Sequence, residues 1–178
     1  MSILEAVEAL ERDGRLFNRP SSFTGEGPRS VYLTPEIDCR TQGPFSLSQE
    51  DQMWREVSDY LDAFVEHSCF SVSPVHKPKP PDVMLARVES VGVASRDHDF
   101  WSMRIADPDD LPHTGGVRLL GAFVDCDKFV ALIGDFRQDM VFNASVSELG
   151  DVWHDHFGTL KPHSGSNLND YLTNYTQC

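Results

Sequence analysis

Three arginines, Arg104, Arg118 and Arg137, are the residues of this chain best suited to chemistry. Arg104 lies in a segment with strand character at 99–106, Arg118 in another at 117–124, and Arg137 just past a third at 128–133. A guanidinium is planar, permanently charged and rich in N–H donors. Several of them, carried by neighbouring strands to one sheet face, can hold a phosphate bidentately and stabilise charge that develops on it. The plainer reading of the same residues is that arginines in an acidic chain pair with local carboxylates at the surface.

Other groups of reactive side chains have simpler explanations. His154, His156 and His163 could supply imidazole ligands to a metal, but residues two apart on a helix point about 200° apart and cannot share an ion. Asp107, Asp109, Asp110, Asp125 and Asp127 could gather round a hard cation, yet they lack the ligand order of a calcium loop. Aspartate also serves turns by imitating a backbone acceptor. The segment His113-Thr114-Gly115-Gly116 could offer backbone amides to an anion or simply connect two strands. No metal and no cofactor is expected.

The usual phosphate-cradling glycine motifs, the nucleophile elbow and the paired-histidine zinc signature are all missing, and no repeat is visible. A net charge of −13, from 15 basic against 28 acidic side chains, repels bare phosphate backbones unless basic residues gather on one face. The four cysteines are scattered without a paired spacing and read as reduced thiols. The first residues show no basic head, no long apolar run and no small-residue cleavage site, and no stretch has the length of a membrane span, so a cytoplasmic protein without membrane association is expected. Asn143 and Asn174 open glycosylation-like triplets that this location leaves unused.

The elements that must position the arginines follow from periodicity. Ser2 and Glu5 have capping-box spacing, Ile3, Ala6, Val7 and Leu10 recur at helical intervals, and Gly14 suits a left-handed exit, so a short helix is predicted there. Pro20, Pro35 and Pro44, with several glycines and serines in 15–47, predict loop with one extended piece at 30–33. From Ser48 onward Met53, Trp54, Val57, Leu61, Phe64 and Val65 share one face of a second helix. Four prolines between Pro74 and Pro81 mark a linker. Beyond it, segments at 83–93, 99–106, 117–124 and 128–133 are rich in β-branched and aromatic residues and predict four strands, the last two joined as a hairpin across Asp125–Lys128. Ser147 is the expected cap of a further helix, with Leu149, Val152, Trp153 and Phe157 buried and Gly158 as its stop, and a terminal helical turn is expected near 168–172.

Three pieces of the second half carry a resemblance: Trp101-Ser-Met-Arg104, then Val117-Arg-Leu-Leu-Gly-Ala-Phe123, then Phe129-Val-Ala-Leu-Ile-Gly-Asp-Phe-Arg-Gln138, followed by a helix. Together, across 100–157, they resemble the RelE and HigB toxin superfamily of bacterial toxin–antitoxin systems. Such toxins cut messenger RNA in the ribosomal decoding site. The resemblance implies that Arg104, Arg118 and Arg137 are catalytic groups that handle the scissile phosphate of an endoribonuclease. Gln138 stands where the family usually carries a second base, which leaves open an RNA-cleaving toxin and a relative that keeps the fold without the activity.

The expectation is therefore one α+β domain spanning 1–178. Residues 1–82 form a helical and loop extension, and 83–178 form a core in which an antiparallel sheet of about four strands packs against amphipathic helices. The expected function is that of a divergent RelE/HigB-like protein with RNA, the ribosome or an antitoxin as partner. The alternative is a non-catalytic acidic protein that docks on a basic target, as inhibitors that mimic nucleic acid do.

Overall fold

The computed structural model describes residues 1–21, 28–73, 84–88, 99–105 and 115–177. The Pro74–Pro81 linker, His113 and Thr114, and Asp107, Asp109 and Asp110 lie outside the described residues.

Helix α1, Ile3–Arg12, forms where the capping signals place it: Ser2 Oγ accepts from Glu5 N at 3.3 Å, and Ser2 N donates to the Glu5 carboxylate at 2.6 Å. The chain then turns at Gly14, whose φ of +68° is a conformation that favours glycine. Strand β1 is Phe17–Asn18 and β2 is Ser30–Leu33. A helix that periodicity did not announce, α2 at Pro35–Thr41, follows directly. Its proline, read from sequence as a breaker, occupies the first helical turn, where a missing N–H costs no hydrogen bond. Helix α3, Gln49–Val65, is capped by Ser48 Oγ accepting from Asp51 N at 3.2 Å and buries the expected stripe from Met53 to Val65.

Strands β3 (Phe70–Ser73), β4 (Leu85–Arg87), β5 (Phe100–Ile105), β6 (Val117–Asp125) and β7 (Lys128–Phe136) come next. Helix α4 spans Phe142–Phe157. Its start corrects the placement at Ser147: the helix begins one and a half turns earlier, behind Val141, which makes no side-chain cap, so the sequence carries no capping signal there. Gly158, with φ of +59°, ends it. A 3₁₀ turn at Leu168–Asp170 and strand β8, Tyr175–Gln177, complete the chain.

The sheet corrects the fold expectation. It has eight strands in the order β1-β2-β7-β6-β5-β4-β3-β8, and it is mixed rather than antiparallel. Strands β4 to β7 run antiparallel to their neighbours, but β2 lies parallel to β7, β3 parallel to β4, and β8 parallel to β3. Parallel neighbours cannot be joined by a tight turn, so no hairpin signal marks them, and β2 with β7 and β3 with β8 are also remote in sequence. Of the four additional strands, β2 is the extended piece expected at 30–33, and β1, β3 and β8 are only two to four residues long, too short to show an alternation of their own.

Both faces of the sheet are covered. Helices α2 and α3 pack on one, over a cluster that includes Val31, Ile37, Trp54, Leu61, Trp101, Met103, Leu119 and Phe123. Helices α1 and α4 pack on the other, over Val7, Leu10, Phe100, Leu120, Ala122, Val130, Leu149 and Trp153. At Gly121 the backbone of β7 comes so close that a Cβ would stand 1.9 Å from the Val130 carbonyl oxygen, beside a break in the register between Leu120 and Gly121. Glycine is the residue that lets the two central strands meet there.

One buried charge ties the far edge of the sheet to its interior. The Arg29 side chain is fully buried; its Nε donates to Asp127 Oδ1 at 3.1 Å, and its two terminal nitrogens donate to the carbonyls of Phe64, Ser68, Thr173 and Asn174. The guanidinium also lies over the rings of Phe64 and Phe70. Asp127, itself at a φ of +59°, accepts from Thr173 N and Thr173 Oγ1. The end of α3, the β6–β7 turn and the segment leading into β8 are thus held by one ion pair and its hydrogen bonds.

Candidate phosphate-binding site

The three arginines meet at one end of the sheet. In the β5–β6 ladder Arg104 is the direct register partner of Arg118, and directly paired residues project from the same face. By strand alternation that is the face carrying Phe100 and Ser102 on β5 and Leu120 and Ala122 on β6. Arg137 follows the last residue of β7, and its N–H donates to the Gly116 carbonyl at 2.9 Å, which brings it beside the start of β6.

Gly115 and Gly116 fix that approach. Both have positive φ, +58° and +82°, and an added Cβ at Gly115 would lie 3.7 Å from the Arg137 Cβ. The glycine pair considered from sequence as an anion cradle thus packs along the Arg137 stem, and the Gly116 carbonyl is spent on the Arg137 backbone. On the other side, the Met84 carbonyl accepts both the Arg104 N–H at 2.8 Å and the Tyr60 hydroxyl at 2.7 Å.

Electrostatics report the convergence. Burial, and then the Arg104 and Arg137 charges, hold the Arg118 guanidinium down at about 10, below the ordinary arginine range. Arg104 is also lowered, first by burial and then by Arg137, with Tyr60 acting in the opposite direction. Among the described residues no carboxylate comes within ion-pair distance of Arg104 or Arg137. Asp135, the β7 register partner of Arg118, accepts the Phe136 N–H at 2.8 Å through its Oδ1.

Such a cluster can bind an anion and stabilise negative charge on it. It does not by itself move protons. Tyr60, the nearest described titratable hydroxyl, is held well above its ordinary range by burial, so it stays a neutral donor. Ser102, two residues before Arg104 on the same face, is 3% exposed, and its hydroxyl has no hydrogen-bond partner among the described residues.

The remaining candidates are absorbed by structure. His154 Nδ1 lies 3.0 Å from the Gly158 carbonyl oxygen, His156 Nδ1 2.9 Å from that of Val152, and His163 Nε2 2.8 Å from that of Asp170, so each ring is engaged within its own segment. Asp125 accepts from Cys126 N and Lys128 Nζ, and Asp127 serves Arg29 and Thr173. Among the described residues no group of three or more His, Cys, Asp or Glu is placed to hold a metal ion. No helix among them is long and apolar enough to cross a membrane. Cys39, Cys69 and Cys126 form no disulfide.

Sequence reasoning missed two features near this end of the molecule. Tyr60 was passed over because its helix periodicity was complete without it. Two clefts beside the end of β7, of about 730 Å³ and about 520 Å³, share Asp135 and Asp139 and are assembled from α2, α3, β7 and α4, a juxtaposition no local pattern encodes. No family model, no curated protein and no solved structure matches the chain.

Proposed function

We propose that this protein binds RNA through phosphate at the Arg104, Arg118 and Arg137 cluster, as a divergent relative of the RelE/HigB toxins that either cleaves the RNA or has kept the binding alone. One observation carries the reading: Arg104 and Arg118 are cross-strand partners and Arg137 lies close enough to depress both. Folding therefore brings three like charges close enough to repel one another. An anion placed among them would relieve that repulsion and accept bidentate hydrogen bonds. Within a chain of net charge −13, such a cluster directs a polyanion to one spot and repels it elsewhere.

The test is induced expression in a bacterium of the wild type, Arg104→Ala and Arg137→Ala, with growth and messenger integrity followed together. Cleavage predicts arrest and messenger loss in the wild type and relief in both variants. Binding without cleavage predicts intact messenger, with single-stranded RNA retained on a filter by the wild type. Three phosphate contacts give a slope of about −2 in log affinity against log salt, which each substitution reduces by about 0.7. Arrest or RNA retention that survives both substitutions removes the arginines from the function.

A further inference from the structure

A different surface, next to but separate from the arginine cluster, has the form of a protein-docking groove. The larger cleft runs between the start of α2, the end of β7 and one side of α4. Along α4 it is lined from Val141 through Glu148 to His156 at intervals of three, four and seven residues, the spacing of a continuous helix face. Fifteen residue steps at 1.5 Å make this wall roughly 22 Å long. That length suits a segment of polypeptide rather than a compact small molecule. The smaller cleft continues it past Asp135 and Asp139 toward the N-terminus of α3, where Glu50 lines it together with Arg40, whose Nη2 lies 3.6 Å from the Glu36 carboxylate.

The lining has two characters. Ile133 is half-buried in the wall, and Val141 is 71% exposed, an apolar side chain left uncovered at the mouth of the groove. Around them stand Glu36, Asp135, Asp139 and Glu148, and the larger cleft contains no lysine or arginine. An apolar strip flanked by carboxylates is the complement of an amphipathic segment with lysine or arginine on its polar side.

We infer that this groove is the docking site for a basic amphipathic helix of a partner protein, held by apolar contacts at Ile133 and Val141 and by charge pairing with the four surrounding carboxylates. The inference stands whether or not the arginine cluster binds RNA.

A fluorescein-labelled helical peptide of about fifteen residues, leucine on one face and lysine on the other, serves as the probe. A counterpart with glutamate for lysine is the control, and both are titrated against the full chain by anisotropy and amide NMR. The lysine peptide binds, its affinity falls with salt, and the largest shifts fall on Ala144, Glu148 and Val152; the glutamate peptide does not bind. Asp139→Lys with Glu148→Lys weakens binding at least tenfold. Glu8→Lys with Asp13→Lys, the same change of net charge on the exposed part of α1, leaves it within twofold, as does Arg104→Ala. Both double variants alter exposed side chains, and their melting curves are checked against the wild type. Absence of binding at low salt, equal loss in the two double variants, or shifts centred on another surface would each overturn the proposal. Displacement of the peptide by spermidine at equal charge concentration would reassign the groove to a small polycation.

Discussion

If the arginines are held together for a ligand, removing one should make the empty protein more stable. Arg104→Met is the informative change, because methionine preserves the apolar stem and deletes only the charge. For two guanidiniums on directly paired strand positions a separation of about 7 Å is a fair working distance. At an effective dielectric of about 20 they repel by about 2.4 kcal/mol. Both side chains are partly open to solvent, so screening reduces this to about 1 kcal/mol. The Arg118 value points the same way. Its fall to about 10 has burial as its first cause, and the part left to repulsion is further reduced by solvent screening, to about 1 kcal/mol.

The sign is unambiguous. A base whose folded value is lowered is charged in both states below about pH 10 and carries its full penalty there; the penalty fades only as pH rises above about 10 toward the ordinary arginine range. Arg104→Met should therefore raise the unfolding free energy at pH 7 by about 1 kcal/mol, a Tm gain of about 2–4 °C for a chain of this length. Urea denaturation at about 0.02 M and about 0.5 M salt is the assay, and the gain should shrink at the higher salt, where the Debye length falls to about 4 Å. RNA retention should fall in the same variant. A loss of more than about 1 kcal/mol, independent of salt, would show that the guanidinium is held by attraction, and the argument for an anion site would fail with it.

Four other outcomes are expected. Arg29→Met should do the reverse of Arg104→Met and destabilise by about 3–5 kcal/mol, because Asp127 and several carbonyls lose a buried donor; a urea midpoint within error of the wild type would contradict this. Gly121→Ala should cost more than about 4 kcal/mol or prevent folding, since the Val130 carbonyl is backbone and cannot move aside, and a cooperative wild-type-like melt would refute it. Ser102→Ala should be neutral or stabilising by up to about 1 kcal/mol, as it removes a buried hydroxyl without a partner among the described residues; clear destabilisation would reveal a hydrogen bond to that oxygen. The Tyr60 phenol is raised in the folded state, so its stabilising linkage is complete below pH 10 and is lost as pH climbs above it; Tyr60→Phe should flatten the alkaline limb of the stability profile, and an unchanged limb would exclude Tyr60 as its source.

What could be read from sequence was local. The capping box of Ser2 and Glu5, the buried stripe of α3 and the tight β6–β7 turn each depend on residues within a few positions of one another, and each has a direct physical signature. Helix α2 was hidden because Pro35 looks like a breaker until its position in the first turn is known. The start of α4 was hidden because Val141 offers no capping side chain. The parallel partners β2, β3 and β8 depend on where separate segments come to rest, and the burial of Arg29 depends on three other pieces of chain. The pairing of Arg104 with Arg118 lay between these extremes: strand character was legible for both, whereas the register that aligns them is set by the whole ladder.

The order of the strands also bears on how the chain can be cut. Strands β2 and β3, both early in sequence, flank the block formed by β4 to β7, and the last strand closes the side of β3. Sequence halves are consequently interleaved in space, like the two sides of a clasp. Expressing the portion after the proline-rich stretch by itself would leave β7 and β4 each with an unsatisfied edge and remove α1, α2 and α3, a species inclined to aggregate rather than fold. Such long-range pairings also postpone native closure during synthesis until the final strand has left the ribosome.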